Sequence, residues 1–357
     1  MAIKVTIKDV ARLSGVSIGT VDRVLHGRGR VSKEKETAVL QAASALNYTP
    51  SQIARALVRQ KNNITIGISV FDYHHEFWNE SLSGIQYAKN SLEPFGVEVV
   101  LDQCMVHGSE GQKASIERLL EKGVNGILFT PFEESIEWVD RVIPKEIPYA
   151  TVIDDIPADH RLFHIGPDDY ALGEALAKLS ILYAKDNVQA VILAPNANVH
   201  GTKQRIAGFV AKMKSSINGN ELLEVVNISE TLEEKTYDEI YTATLRALDT
   251  HPTLNTIYVT NGLPHWAAAA IKAVNPSRKI YVFGHEYTEL IETFIKGGDI
   301  TATIYQKPAQ QWNLAIHTLN DYLMGEKNLP FEIQVTECSI LMAETLPFTD
   351  FGRATPL

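Results

Sequence analysis

Hydrophobic positions change rhythm along this chain near residue 62. Before it they recur at helical spacing; after it, short β-branched runs alternate with longer amphipathic segments. Ile7, Val10, Ala11 and Leu13 predict a short helix from Thr6 to Leu13, with Thr6 as N-cap and Asp9 three residues on. Ser14-Gly15-Val16 interrupts it, and Gly15 can supply the positive φ of a tight turn. Ser17 is a second N-cap, opening a helix from Ile18 to Leu25 that is buried through Val21 and Val24. Ser32 opens a third helix running through Leu46, with Val39, Leu40, Ala43 and Leu46 on its inner face. Pro50 stops it.

Beyond Asn63 the pattern predicts strands at Ile64–Val70, Val97–Leu101, Gly126–Phe129 and Tyr149–Ile153. A second set follows at Ala190–Leu193, Leu223–Ile228, Thr256–Val259 and Ile280–Phe283. Helices alternate with them: Glu76–Leu92, Ser109–Glu121, Ser135–Val142, Tyr170–Ala184, Thr202–Lys214, Glu233–Leu248, His265–Ala273 and Glu286–Ile295. Strictly alternating strands and helices predict an α/β body of doubly wound parallel sheets, in two halves that repeat an architecture rather than a sequence.

The first segment is helix, glycine-containing turn, helix: a helix-turn-helix. Its second helix would enter a major groove, exposing Ile18, Gly19, Asp22 and Arg23. Arg23 suits a guanine edge and Ile18 a thymine methyl. His26-Gly27-Arg28-Gly29-Arg30 is a basic loop suited to phosphates. Charge sharpens this picture. Residues 1–61 hold eleven Lys/Arg against four Asp/Glu, whereas the whole chain is −10, so the remainder carries about −17. A basic head on an acidic body is the asymmetry expected of nucleic-acid binding. Gly15-Val16-Ser17-Ile18-Gly19 fits the G-x-S-x-G elbow of hydrolases, but that motif needs a strand before the serine, and here a helix precedes it.

At 357 residues, a head of about sixty leaves enough chain for two lobes with separate cores. With 45% hydrophobic and 21% charged residues, neither disorder nor a coiled coil is indicated. No apolar run approaches the ~20 residues needed to span a membrane, and the N-terminus reads as a helix-turn-helix rather than a signal peptide. A cytoplasmic protein is expected, with Cys104 and Cys338 as reduced core residues. His74-His75-Glu76 and His160…His164 lack a third ligand at metal spacing, and no nucleotide fingerprint occurs, so no metal and no cofactor are expected.

Open α/β sheets bind ligands beyond the carboxyl ends of their strands. Those positions carry Tyr73-His74-His75-Glu76-Phe77-Trp78 after the first strand and Asp154-Asp155 after the fourth. In the second half they carry Lys203, Arg205, Thr260-Asn261, His285-Glu286 and Gln306. Aromatic faces can stack on the C–H face of a sugar, and planar polar groups can bond its hydroxyls in pairs. Asp168-Asp169 begin a helix and read first as caps.

Residues Thr6 to Ser32, followed by Asn47-Tyr48-x-Pro50 and Ala54-x-x-Leu57, resemble the lactose-repressor (LacI/GalR) family of bacterial transcription factors. The resemblance implies a DNA-binding headpiece over 1–50 and a hinge helix within 51–61. Thr6, Ser17, Ile18, Thr20, Asp22, Arg23, His26, Arg28, Arg30, Asn47, Tyr48 and Ala54 are then the expected DNA-contacting set, and Leu57 wedges into the minor groove. Asp22 stands where a serine is frequent, and Ile18-Gly19 replace a larger polar pair, so the operator sequence does not carry over.

Residues 62–345 resemble the ribose-type periplasmic binding proteins. Two discontinuous lobes are implied, about 62–166 with 307–331 and about 167–306 with 332–345, then a tail over 346–357. Phe77 and Trp78 match a stacking aromatic pair, Asp154 a hydroxyl-binding Asp, Lys203 and Arg205 cationic positions, Asn261 an amide and Gln306 a glutamine near the last crossing. His75 joins this expected set. Asp155 stands where an Arg is common and His285 where an Asp is usual, which argues against ribose and leaves another polyol or an anionic sugar. The expected protein is a homodimeric regulator, most simply a repressor, that binds a pseudo-palindromic double-stranded operator under control of a carbohydrate effector, with no enzymatic or membrane role. The rival readings are a constitutive DNA-binding protein whose body only dimerises, and a sugar-modifying enzyme using Asp154, Asp155 and Glu286.

Overall fold

The computed structural model describes residues 7–25, 31–46, 64–71, 76–104, 108–132, 136–195, 197–216, 219–228, 233–329 and 331–348. The expected hinge helix lies outside the described residues, as do Thr6, His26, Arg28, Arg30, Asn47, Tyr48, Ala54, Leu57 and His75 and the side chain of Asp22.

The head holds α1 (Ile7–Ser14), α2 (Ile18–Leu25) and α3 (Lys33–Ala45). Val10, Ala11, Val21, Val39 and Ala42 are its core, flanked by Ile7, Val16, Val24, Ala43 and Leu46. Gly15 takes φ +67° between α1 and α2, as its turn requires. Leu40, expected on the inner face of α3, is 51% exposed. Val39 and Ala42, three apart, hold that face, and Leu40 lies about 100° round the helix from Val39.

The first lobe comprises β1 (Ile64–Phe71), α4 (Glu76–Leu92), β2 (Val97–Cys104), α5 (Ser109–Glu121), β3 (Gly126–Phe129), α6 (Val139–Val142), β4 (Tyr149–Val152) and β5 (Arg161–Gly166). The second begins with α7 (Asp169–Tyr183), β6 (Gln189–Pro195), α8 (His200–Ser215), β7 (Glu221–Ile228) and α9 (Glu233–Thr250). It continues with β8 (Thr256–Val259), α10 (Pro264–Val274), β9 (Tyr281–His285), α11 (Glu289–Lys296) and β10 (Ala302–Tyr305). Then come α12 (Pro308–Leu323), β11 (Ile333–Val335) and β12 (Ser339–Leu341).

One sheet runs β11-β5-β4-β3-β1-β2, parallel throughout; the other runs β12-β10-β9-β8-β6-β7, parallel except for the antiparallel β12 edge. Each therefore reverses strand order beside its first strand, the position where such sheets open a crevice. Both faces of each sheet are covered. In the first, Ile85, Ala88 and Leu92 of α4 and Trp312, Ile316 and Leu319 of α12 share one core, while Ile116 and Leu119 of α5 close the other face. In the second, Ile240 of α9, Ala267 of α10 and Ile291 of α11 oppose Leu176 of α7 and Phe209 of α8. Strands buried on both sides explain the near-continuous apolar runs of the sequence.

The described chain passes between the lobes after β5, after β10 and between β11 and β12. The last crossing was expected near 331, but Ile333–Val335 pair with His164–Gly166 in the first sheet, so it falls after Val335. Leu346 is buried in the second lobe's core, so the chain past 345 does not begin as a free tail. Cys104 and Cys338 are free thiols; Cys104 is buried beside the Ser69 hydroxyl at 3.3 Å.

Candidate functional site

Two constructions carry chemistry. The first is α2. Ser17 Oγ accepts the Thr20 N–H at 3.2 Å, and the two hydroxyls lie 2.9 Å apart, so Ser17 is the N-cap. Val21 turns inward, leaving Ile18 at 45% exposure with Ser17, Gly19 and Arg23 also exposed. Arg23 lies along its own helix, its Nε donating to the Gly19 carbonyl at 3.0 Å. Thus Ser17, Ile18, Gly19, Thr20 and Arg23 share the start and outer side of one helix, set by the buried side that Val21 and Val24 make.

The second lies between the lobes. Asp154, just past β4, accepts the Gly201 N–H in the first turn of α8 at 3.1 Å. Glu80 of α4 accepts the Tyr305 hydroxyl at the end of β10. Each bond joins one lobe to the other. A β-carbon on Gly201 would collide with both the Asp154 and Asp169 carboxylates, so the absence of a side chain there admits two acids to a helix N-terminus, where anions are favoured. Three non-glycine residues with positive φ stand at this seam: Ile153 (+74°), Glu286 (+69°) and Lys307 (+57°). For a β-branched residue such as Ile153 this conformation is strained, and such strain concentrates at binding sites.

Arg205, buried, is the hub. Its Nε donates to Asp169 at 2.7 Å and its Nη1 to the Thr260 carbonyl at 2.8 Å. Buried His285 sits 2.8 Å from the Tyr258 hydroxyl through Nε2, and burial with the nearby Arg205 charge pushes its pKa well below the usual imidazole range. Glu286 accepts from Gln306 Nε2, and Gln311 Nε2 donates to the Gln306 carbonyl at 2.9 Å. Burial raises Glu286 to about 8, against the lowering pull of Arg205. Burial and the Asp169 charge raise Asp154 to about 7. Glu80 is also raised by burial, partly offset by its Tyr305 bond.

The structure thus brings together Asp154, Arg205, His285 and Gln306 from the expected set. Asn261 adjoins them: its Oδ1 accepts the Leu263 N–H at 3.2 Å in the turn before α10, and its carbonyl accepts the His285 N–H at 3.1 Å. Phe77 and Trp78 meet edge to face at 5.2 Å and are half-buried against the first lobe's core, Trp78 also edging Phe71.

Two members of the expected set stand apart from this cluster. Asp155 is spent inside the first lobe, ion-paired with Arg161 and accepting from Thr151 Oγ1 at 2.7 Å and the Ile156 N–H at 2.8 Å. It fixes the β4 and β5 ends. Lys203 is exposed, because two residues from Arg205 is about 200° round α8. Of the three groups expected to meet an anionic sugar, His285 is held uncharged by burial and by Arg205. The residues not singled out beforehand are Glu80, Tyr258, Tyr305 and Gln311; Asp169 reads first as a cap, and Glu286 as a strand-end residue and an acid or base of the rival enzyme reading. Asp168 does cap α7, accepting the Ala171 N–H at 3.0 Å, while Asp169 pairs with Arg205. The signal available was position: Asp169 follows the first crossing and Glu286 the end of β9. Among the described residues no cluster of three or more His, Cys, Asp or Glu could hold a metal, and no helix is long and apolar enough to cross a membrane.

Comparison with known proteins assigns both the head and the body. Residues 6–51 match the model of bacterial regulatory proteins of the lacI family, and residues 66–327 match a periplasmic binding protein domain. The ribose operon repressor of Halalkalibacterium halodurans is 31% identical over 272 residues, 76% of this chain and 75% of that protein. The transcriptional repressor PurR of Vibrio parahaemolyticus is 33% identical over 229 residues, 61% of this chain but only 64% of its own length. In structure, the glucose-galactose binding protein GanP of Geobacillus stearothermophilus superposes with a TM-score of 0.71 at 19% identity, covering 80% of this chain and 99% of that one. With a helix-turn-helix head on a two-lobed periplasmic-binding body, the chain belongs to the lacI family of bacterial transcriptional regulators.

Proposed function

We propose that this regulator binds a pseudo-palindromic operator as a homodimer in the cytoplasm, that it represses, and that a small carbohydrate or carbohydrate derivative between its lobes controls it. The observation that carries the reading is the polar cluster around Arg205, closed by bonds from both lobes: Asp154 to the Gly201 N–H and Glu80 to Tyr305. A ligand there would change how the lobes meet, and with them the start of β1, where the chain arrives from the head. Relatives named as repressors and a sugar-binding structural neighbour support the same division of labour.

In this reading Ser17, Ile18, Thr20, Asp22 and Arg23 meet base edges or adjacent phosphates. Thr6, His26, Arg28, Arg30, Asn47 and Tyr48 serve the backbone, and Ala54 and Leu57 the hinge. Asp154, Arg205, Asn261, His285 and Gln306 meet the effector, with Phe77 against its C–H face. Domain limits of 1–50 and 51–61 for head and hinge belong to the same proposal. Leu57→Ala should weaken operator binding and leave effector binding unchanged. Selection of DNA from a random pool, followed by mobility shift, tests the reading. Enrichment of an inverted repeat supports it, and failure to enrich any site with or without sugars contradicts it. An effector should also raise the unfolding temperature, by about 2.7 kcal/mol of stability at one hundred times its Kd.

A further inference from the structure

The second crossing between the lobes runs from Tyr305, the last residue of β10, to Ala309, the second of α12, and side chains from both lobes hold it. From the second lobe, Glu286 accepts from Gln306 Nε2; from α12, Gln311 Nε2 donates to the Gln306 carbonyl at 2.9 Å. From the first lobe comes Glu80 of α4. Its carboxyl accepts the Tyr305 hydroxyl, and the Ala309 N–H lies close enough to it to lower its pKa. Lys307, the residue before α12, takes φ +57° and gives that helix no side-chain cap. A carboxyl from another helix thus faces first-turn N–H groups that have no acceptor within their own helix. Packing permits it. A β-carbon on Gly84, one turn beyond Glu80, would collide with the Ala309 carbonyl, so α4 and α12 approach backbone to backbone there.

The two partners of Glu80 move with different bodies. Ala309 belongs to α12, whose Trp312, Ile316 and Leu319 share the first lobe's core with Ile85 and Leu92 of α4. Tyr305 is 1% exposed in the second lobe's core, edge to face with Tyr287 at 6.1 Å. The Ala309 contact is therefore internal to one lobe, whereas the Tyr305 bond exists only while the lobes stand as they do here. Phe77 lies one turn before Glu80 on α4, and Gln306 follows Tyr305. This one bond thus sets how far apart the elements carrying those two proposed effector contacts stand.

Building on the proposed effector cleft, we infer that Glu80 is a positioning residue that caps α12 within the first lobe and, through the Tyr305 hydroxyl, latches the second lobe in the arrangement that presents Asp154, Arg205 and Gln306 to the effector. It acts without touching the effector. It sets the fraction of molecules whose lobes are already joined, and apparent affinity scales with that fraction whatever the sugar.

The other inter-lobe bond supplies the reporter. The Gly201 amide lies in the first turn of α8, where no intrahelical acceptor exists, and Asp154 of the first lobe accepts its hydrogen. Hydrogen exchange of the full chain, read by mass spectrometry, should show this amide exchanging about ten-fold faster in Tyr305→Phe than in the parent, the worth of one hydrogen bond to a carboxyl. Glu80→Gln keeps the shape and one acceptor oxygen, and as the second variant should give a smaller acceleration. Faster exchange confined to residues 305–309 would mean a local role and overturn the inference. Calorimetric titration with D-ribose, D-arabinose, D-glucose, D-galactose and myo-inositol adds a second readout. Every probe that binds the parent should bind Tyr305→Phe more weakly, by one common factor no larger than the change in exchange. Factors that differ from probe to probe would make Tyr305 a ligand contact and overturn the inference. Should no probe bind, the carbohydrate reading fails, and the Gly201 amide still decides the latch.

Discussion

Asp154 shows how much one side chain does here. It leaves the first lobe on a strained Ile153, crosses the seam and takes a backbone N–H at the start of α8. Gly201→Ala would place a β-carbon against it and against Asp169. Effector affinity should fall about ten-fold or more with far-UV circular dichroism unchanged; unaltered affinity would contradict the placement of Asp154 in the site. Protons give a second check. Asp154 is lifted from 3.8 to about 7 and Glu286 from 4.5 to about 8, so the folded protein binds more protons than the unfolded chain between about pH 4 and 8. Their contribution is full at the acid end and is lost as pH rises through the folded values, at up to about 1.4 kcal/mol per pH unit for each carboxyl. The unfolding temperature of the ligand-free protein, followed from about pH 5 to 9, should fall more gently in the Asp154→Asn, Glu286→Gln double variant than in the parent. Equal slopes would show that these carboxyls do not carry the dependence. The sequence places Asp154 and His285 at strand ends and Arg205 in the helix after β6, but not the direction in which each points. Lys203 and Arg205 are two residues apart in one helix and face opposite ways, and Asp155 is claimed by Arg161 from a neighbouring strand.

Among the elements, α2 rests on its cap. Removing the Ser17 hydroxyl leaves the Thr20 N–H without its side-chain acceptor, and caps of this kind are worth about 1 kcal/mol. Ser17→Ala should therefore lower the melting temperature of the head and weaken operator binding, while calorimetry on the cleft shows no change; a shift in effector affinity would argue against separate roles for head and body. α1, α2 and most of the strands were legible because each carries a strong period or a run of β-branched residues. β5 was not: Arg161 and His164 interrupt its run, and they are tolerated because Asp155 and Thr151 satisfy them from the strand and loop alongside. β11 and β12 are three residues each, too short to show a period, and only pairing with His164–Gly166 and Thr303–Tyr305 assigns them to opposite sheets. That is why the last crossing is displaced from its expected place.

The whole molecule sets a basic head before an acidic two-lobed body, with the lobes tied to one another by side chains rather than by one continuous core. Phosphate contacts make head binding depend on salt, so operator affinity should fall steeply as ionic strength rises, whereas binding of a small effector in a buried cleft should respond far less. The two sites influence one another only if ligand and DNA favour different arrangements of the lobes, and such coupling is reciprocal. The most direct measurement is fluorescence anisotropy of the selected operator duplex, titrated with protein in the absence and in the saturating presence of whichever probe stabilises the body most. Operator Kd should change by about 5- to 150-fold, with effector affinity changing by the same factor when DNA is bound. An unchanged operator Kd with the cleft demonstrably occupied would contradict the account.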